Sequence, residues 1–230
     1  IVAKQSTEET MDYIKKTIKE NLSNKLFFND DFSYSINEND FFYYEDQFGG
    51  LKLSKPNVLG QFQLENISTA IATLRTLNLS IKDEHIKRGI LKINSLARLQ
   101  EIKTGKLKKL VKNNKLLIDG SHNENGSYAL NKYLQSLDCK KHVIIGMMAN
   151  KEHEKYLSYF KDISSITTID LKTQPNSISG KKLKDKCKNI PNVQYQPSIE
   201  QAINSIDLKE GDLLLITGSL YLAGEVLNLN

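Results

Sequence analysis

The stretch Lys115-Leu116-Leu117-Ile118-Asp119-Gly120-Ser121-His122-Asn123 constrains this chain more than any other, because an apolar run stops abruptly in polar, ligand-capable side chains. Three apolar residues in succession suit a strand covered on both faces, as in a parallel sheet. Asp119 then falls at the strand's carboxyl end and Gly120 permits a tight turn. Ser121 or Asn123 can cap a following helix whose apolar face is Leu130, Tyr133, Leu134 and Leu137. Strand, polar turn and helix in this order form the local pattern of a ligand site in open α/β sheets, where the crevice lies beyond the strand ends.

The same rhythm extends through the second half of the chain. Strands are predicted over 99–102, 115–119, 143–146, 166–170, 193–196 and 213–217, and helices over 125–137, 152–160, 180–188 and 199–206. The fold class is therefore α/β, with a doubly wound, mostly parallel sheet. Asp119, Gly146-Met147-Met148, Asp170 and Thr217-Gly218-Ser219 should share one sheet edge.

The first part reads differently. Strands are expected at Ile1-Val2-Ala3-Lys4 and Leu26-Phe27-Phe28, with a helix opening at Thr7-Glu8-Glu9-Thr10 whose buried side is Met11, Ile14, Ile18 and Leu22. The aromatic-rich stretch 32–53 alternates and turns at Gly49-Gly50 like antiparallel strands, and its rings suit strand packing better than base stacking. A helix with Ile67, Ala70, Ile71, Leu74 and Leu77 on one face carries Asn66 in its first turn, and a second helix covers 83–93. The character changes at Asn94-Ser95-Leu96-Ala97, which places the domains at 1–95 and 96–230.

Composition narrows the setting. A chain of 230 residues is comfortable for two domains, and 39% hydrophobic with 26% charged residues is a globular, soluble balance. No apolar run approaches the roughly 20 residues of a membrane span. Cys139 and Cys187 have neither CxxC spacing nor a partner cluster, so a reducing, cytoplasmic location is expected. The net charge of +5 could suggest an anionic partner. The lysine runs at Lys106-Leu107-Lys108-Lys109 and Lys181-Lys182-Leu183-Lys184 interleave with leucine, however, and read as solvated helix faces; no nucleic acid is expected as a partner. The start at Ile1, without Met, reads as the back part of something longer.

Neither GxGxxG nor GxxxxGK[ST] is present, so phosphate is bound some other way or elsewhere. A carboxylate three residues before a histidine at a strand end could bind a ribose hydroxyl, orient an amine, ligate a metal or cap a helix, and spacing alone leaves Asp119 and His122 open among these. Arg98 suits phosphate by chemistry, but a surface arginine is equally ordinary.

Taken together, five segments resemble one family in order and spacing. They are Leu59-Gly60-Gln61-Phe62-Gln63-Leu64-Glu65-Asn66, Ala97-Arg98-Leu99-Gln100, Ile118-Asp119-Gly120-Ser121-His122-Asn123, Ile145-Gly146-Met147-Met148-Ala149-Asn150-Lys151 and Thr217-Gly218-Ser219-Leu220-Tyr221-Leu222-Ala223. The chain is similar to the folylpolyglutamate synthase/dihydrofolate synthase enzymes of the Mur ligase superfamily, whose motifs read roughly G-x-x-Q-x-x-N-A, G-R-x-Q, D-x-A-H-N, I-G-x-x-x-D-K and G-S-x-x-x. The resemblance implies a remnant of the central ATPase domain followed by a complete C-terminal ligase domain. It implies an ATP-dependent amide ligase in which ATP phosphorylates a dihydropteroate or folate carboxylate and L-glutamate attacks the acyl phosphate. Asn66, Arg98 and Asp119 match the family's ATP-contacting residues, His122 matches a cleft histidine near phosphate or the incoming glutamate, and Ser219 matches a candidate for the glutamate carboxylate. Arg98 and His122 are the implied catalytic residues.

Departures accompany the match. Phe62-Gln63 stands where HQ is common, Ser121 where Ala is, and Glu124 where Pro is. The resemblance puts the P-loop, the Mg²⁺ ligands and a modified central-domain lysine before Ile1. The cofactors expected are thus ATP and Mg²⁺, with no metal set in these residues; the protein is expected to be a monomer and this segment inactive alone. Rival readings are another Mur-type amino-acid ligase and a non-catalytic nucleotide-binding or interaction module.

Overall fold

The computed structural model describes residues 1–18, 25–37, 40–77, 79–187 and 190–230, and divides into two compact units, Ile1–Asn94 and Ser95–Asn230.

In the first unit, α1 (Glu8–Ile18) starts with Glu8 and Glu9 and finishes with Lys15 and Lys16, charges that oppose the helix dipole at both ends. Met11, Ile14 and Ile18 are half-buried, and Leu22 lies outside the described residues. The two strands expected at 1–4 and 26–28 reduce to one parallel bridge, Val2 to Phe27, closed by Val2 N–H on Leu26 O at 2.8 Å and Phe28 N–H on Val2 O at 3.0 Å. The aromatic stretch forms β1 (Phe32–Ile36), β2 (Phe41–Asp46) and β3 (Gly49–Ser54), an antiparallel meander with Tyr34 opposite Tyr44 and Tyr44 opposite Leu51. Alternation puts Phe32, Phe42, Tyr44, Leu51 and Leu53 in the core, so these rings are packing residues.

Helix α2 (Gln61–Thr76) covers that core with Ile67, Ser68, Ile71 and Ala72. The expected stripe is therefore rotated: Ala70 is exposed, and Leu77 is 50% exposed because the helix ends at Thr76. Small Ser68 and Ala72 let the helix approach the sheet closely. Helix α3 (Asp83–Ile90) stops three residues earlier than its apolar pattern suggests, where Lys92 N–H turns back to Gly89 O at 2.9 Å.

Arg75 locks α2 to the β2–β3 turn. It donates to Asp46 Oδ1 and Gly49 O at 2.8 Å and to Phe48 O at 3.1 Å, with side chains of Arg75 and Asp46 only 10% and 2% exposed. Removing one partner of so enclosed a pair strands the other. Arg75→Ala should lower stability by about 3 kcal/mol, with Arg75→Lys recovering part of it, read by denaturant unfolding.

In the second unit the described residues form one six-stranded sheet. Its elements in chain order are β4 (Gln100–Glu101), α4 (Lys106–Val111), β5 (Lys115–Ile118), α5 (Glu124–Gln135), β6 (Lys141–Ile145), α6 (His153–Ser158), β7 (Ser165–Ile169), α7 (Gly180–Asp185), β8 (Val193–Gln196), α8 (Ile199–Ser205), β9 (Leu213–Thr217) and α9 (Leu220–Leu229). The sheet order is β4-β5-β9-β6-β7-β8, parallel throughout except for β4, which pairs antiparallel with β5. The predicted α/β, mostly parallel architecture is the one observed.

Two helices add to those the pattern predicts. In α4, Leu107 and Val111 are buried while lysines face solvent, a helix too short for a periodic signal. In α9, Gly224 interrupts a sequence with few polar residues, although Leu222, Ala223 and Val226 form its buried side.

The chain runs from β5 to β6 in one direction across the sheet and returns from β8 to β9 in the other. Right-handed crossovers then require α5 and α8 on opposite faces. The core agrees: Leu116 and Ile118 pack with Leu107, Val111, Ala202, Ile203, Leu222 and Val226 from α4, α8 and α9. Strand alternation turns Leu117 to the opposite side. Because β9 lies between β5 and β6 yet continues into a helix on the other face, the chain diverges there, and in open α/β sheets the carboxyl ends of strands at such a divergence are where a ligand crevice is expected.

The cysteines are both free thiols; Cys187 is buried, which pushes its thiol up to about 11, and Cys139 is half-buried. A raised pKa leaves little thiolate at neutral pH, so maleimide at pH 7 should label Cys139 well before Cys187, as peptide mass mapping would record.

Candidate functional site

The crevice begins where β5 ends. Asp119 continues the parallel ladder through its N–H to Ile216 O at 3.0 Å, and the residue is 3% exposed. One carboxylate oxygen accepts Ser121 N–H at 2.8 Å and the other accepts Leu99 N–H at 2.9 Å. Gly120 N–H donates to Ala97 O at 2.7 Å, and a Cβ on Gly120 would collide with the Leu220 side chain, which explains glycine at the turn.

These bonds shape the segment carrying Arg98. Ala97 and Leu99 have left-handed backbones, with φ of 53° and 49°, which cost about 1 kcal/mol each for residues with a Cβ. The turn is held by Asp119, by Gly120 and by Gln100 Oε1, which accepts Ala97 N–H at 2.9 Å. Arg98 itself is exposed between two buried neighbours, Ala97 and Leu99. The structure thus brings Arg98 and Asp119 to the same strand end.

His122 follows on the turn, half-buried, with Nδ1 3.1 Å from Gly120 O. A carbonyl only accepts, so Nδ1 carries the hydrogen and Nε2 is the bare acceptor of the neutral ring. Asn123 caps α5, its Oδ1 accepting Gly126 N–H at 2.9 Å, while Leu130 and Leu134 are the buried part of the predicted apolar face and Tyr133 and Leu137 its half-buried rim.

Ser121, the other candidate cap, has a different role. Its hydroxyl lies 3.2 Å from the Tyr156 hydroxyl and 3.4 Å from that of Thr217, and Tyr156 and Thr217 are 2.8 Å apart. This knot joins the β5 turn, α6 and the end of β9. Burial raises the Tyr156 pKa well above that of a free phenol, so the group stays a neutral donor. Sequence reasoning missed Tyr156, since its spacing marks it only as one more core position on a short helix.

Two further loops close the crevice. Gly218 has φ of 108°, and a Cβ there would stand 2.7 Å from Gly146 O, so the loops after β9 and β6 touch through backbone. Ser219 is 2% exposed and caps α9, its Oγ accepting Tyr221 N–H at 3.1 Å. The β6 loop is fixed by His153 Nε2–H on Met148 O at 2.9 Å, and it pairs with the β7 loop through Ala149 N–H on Asn176 O at 3.0 Å. Asp170, predicted at the same edge, accepts Gly180 N–H at 2.7 Å and the Tyr195 hydroxyl at 2.6 Å, and so serves α7. Asn66 belongs to the first unit, where it is exposed on α2. Among the described residues no cluster of three His, Cys, Asp or Glu side chains is arranged for a metal ion.

A doubly wound, mostly parallel sheet with a fixed polar turn at its switch point defines the class, an open-sheet α/β domain, and comparison with known proteins gives its family. Residues 105–220 match the family described as Mur ligase, glutamate ligase domain, and the chain belongs to that family. A UDP-N-acetylmuramoyl-L-alanyl-D-glutamate–2,6-diaminopimelate ligase from Buchnera aphidicola is 30% identical over 185 residues, covering 74% of this chain and 34% of the relative. A folylpolyglutamate synthase from Lacticaseibacillus casei is 24% identical over 191 residues, covering 80% of this chain and 42% of the relative. The chain thus spans well under half the length of these curated relatives. Among solved structures, E. coli FolC in complex with DHPP and ADP superposes with a TM-score of 0.79 at 21% identity, over 94% of this chain and 50% of that one. At that identity the match establishes the fold.

If the hydroxyl knot fixes the turn, Tyr156→Phe should cost about 1 to 2 kcal/mol by leaving buried partners short of a bond. Ser121→Ala should cost less than about 1 kcal/mol, because the shorter Tyr156–Thr217 bond survives it. Thermal unfolding of both variants checks the order.

Proposed function

We propose that this chain is part of an ATP-dependent amide ligase that adds L-glutamate to dihydropteroate or folate through an acyl phosphate. The observation that carries the reading is the fixed turn at the end of β5, beside the ends of β9 and β6, which presents an exposed arginine and a histidine whose Nδ1 is committed to Gly120 O. The folate assignment leans on the five resembling segments and on the likeness to folylpolyglutamate synthases.

The chemistry is two displacements. The acceptor carboxylate oxygen attacks the γ-phosphorus of ATP and ADP leaves. The glutamate amine, once deprotonated, attacks the acyl carbon and inorganic phosphate leaves. Arg98 supplies fixed positive charge where the transferring phosphoryl group spreads negative charge. His122 offers Nε2 as a proton acceptor for the amine or as a donor to phosphate once protonated. By the resemblance, the Asn66 amide suits the adenine edge and the Asp119 carboxylate suits ribose hydroxyls, each considered within its own unit. Ser219 sets the N-terminus of α9, whose backbone N–H groups suit the glutamate carboxylate. Mg²⁺ would neutralise phosphate charge, and among the described residues no cluster of His, Cys, Asp or Glu is arranged to hold it. The protein is proposed to act as a cytoplasmic monomer, with this segment inactive by itself because its sequence has no phosphate-binding loop.

The relative from Buchnera aphidicola, named for joining 2,6-diaminopimelate to a UDP-linked acceptor, favours one alternative, another Mur-type amino-acid ligase acting on a UDP-linked peptidoglycan precursor. Assaying the complete ligase with ATP and both acceptor types separates the two. Glutamate transfer to dihydropteroate or folate supports the proposal; amino-acid addition only to the UDP-linked acceptor replaces it; activity with neither supports a non-catalytic module. Within an active enzyme, Arg98→Ala should lower turnover about 10² to 10³-fold, the scale of one preorganised donor to developing charge, and unchanged kinetics would remove Arg98 from the site.

A further inference from the structure

We propose that the groove between α2 and α3 binds the acyl chain of a fatty-acid carboxylate, with the carboxylate held at its Lys82–His85 end. Binding there involves the first unit alone and is independent of the reaction read above.

The two helices leave about 390 Å³ between them, within the roughly 300–1,000 Å³ of small-molecule pockets. Ile71 and Leu74 line it from α2 and Ile86 and Ile90 from α3, with Ile81 before α3 and Ile93 after it. His85 supplies the one polar side chain of the lining. Ala70 and Gly89 are exposed along it, and a Cβ on Gly89 would meet nothing within 4 Å, so the space is open there. A groove so nearly free of hydrogen-bonding groups suits methylenes and not amides, since an extended peptide would bury backbone N–H and C=O groups without partners. A helix satisfies its own backbone, but a single turn, about 10 Å across and about 5.4 Å long, already fills this volume. An unbranched acyl chain carries neither cost and gains from each methylene taken out of water.

Charge selects the head group. His85 Nδ1 accepts Lys82 N–H at 3.2 Å, so the neutral ring carries its hydrogen on Nε2 and offers a donor at the rim. Lys82 is exposed beside it and has no carboxylate at ion-pair distance among the described residues. The two acids of the first turn of α3 already face other cations, Asp83 at 3.7 Å from Arg75 and Glu84 at 2.6 Å from Lys87. Arg88 and Lys92 add further positive charge on α3 and just beyond it. This excess favours an anion, and a carboxylate can accept from His85 Nε2–H and the Lys82 ammonium together.

Calorimetric titration of the complete ligase with dodecanoate, below its micelle-forming concentration, should show one saturable site per chain. Affinity should fall about fourfold for each methylene removed down to octanoate. Dodecanol, which keeps the chain without the charge, should bind about tenfold more weakly, the difference between a charged and a neutral acceptor. Gly89→Leu and Ala70→Leu fill the groove from either helix and should each weaken dodecanoate at least about tenfold; leucine is the better helix former at 89, so that variant should fold. Lys82→Glu should weaken dodecanoate about tenfold and leave dodecanol unchanged. Dodecanol binding as tightly as dodecanoate overturns the proposal, and so does a titration indifferent to both groove-filling variants. No binding at all overturns it too: the groove is then covered by the chain itself or, if Gly89→Leu converts a dimer to monomer, by a second copy. Should Gly89→Leu fail to fold, Ala70→Leu and Lys82→Glu decide the matter. A complete protein that ligates nothing overturns the functional reading and leaves this site to be judged by the titration alone.

Discussion

The paired acceptance of two backbone N–H groups by the Asp119 carboxylate is the interaction on which the rest of the sheet edge depends. It ties the end of β5 to the turn before β4, so that Arg98 and His122 emerge from one rigid piece of backbone. Removing it would leave two non-glycine residues in left-handed conformations with less to hold them and two buried donors short of an acceptor. Gly120 adds a second constraint from the same turn, since its N–H reaches Ala97 O and its missing side chain makes room for Leu220.

Topology decides where this turn can matter. Inserting β9 between β5 and β6 forces neighbouring connections onto opposite faces, and the crevice between them receives three loops at once. Those loops are cemented differently. The β5 and β9 ends share the Ser121, Tyr156 and Thr217 hydroxyls, whereas the β9 and β6 loops meet backbone to backbone at Gly218 and Gly146. Ser121 stands where the resembling family commonly has alanine, and the hydroxyl is accommodated because Tyr156 and Thr217 are there to receive it.

Much of this is legible in the amino-acid sequence, for physical reasons that differ from part to part. Buried parallel strands announce themselves as short apolar runs, so Leu116 to Ile118 and Leu213 to Ile216 can be placed from residue pattern alone, and Asn123 as a cap follows from its chemistry. Short or mixed elements cannot: α4 is one and a half turns long, and α9 hides its polar face in a sequence dominated by leucine. The first-unit strands at 1–4 and 26–28 have strand-like residues but too little ladder to form more than a bridge. At the site, the residue types at 98, 119 and 122 are visible, while the bond from Asp119 to Leu99 is not, because nothing in a pattern reports a contact twenty positions away. Ser219 has a structural duty besides the one the resemblance implies: its Oγ accepts Tyr221 N–H and so caps α9.

The proposed ligase chemistry belongs where β5, β9 and β6 end, with Arg98 at the phosphates and His122 at the reacting groups. The structure of the complete ligase with ADP and glutamate bound tests it most directly. Phosphate oxygens are expected within hydrogen-bonding distance of the Arg98 guanidinium, and a glutamate or phosphate atom within reach of His122 Nε2. Nucleotide and glutamate bound away from these strand ends, with Arg98 and His122 in solvent, would contradict it.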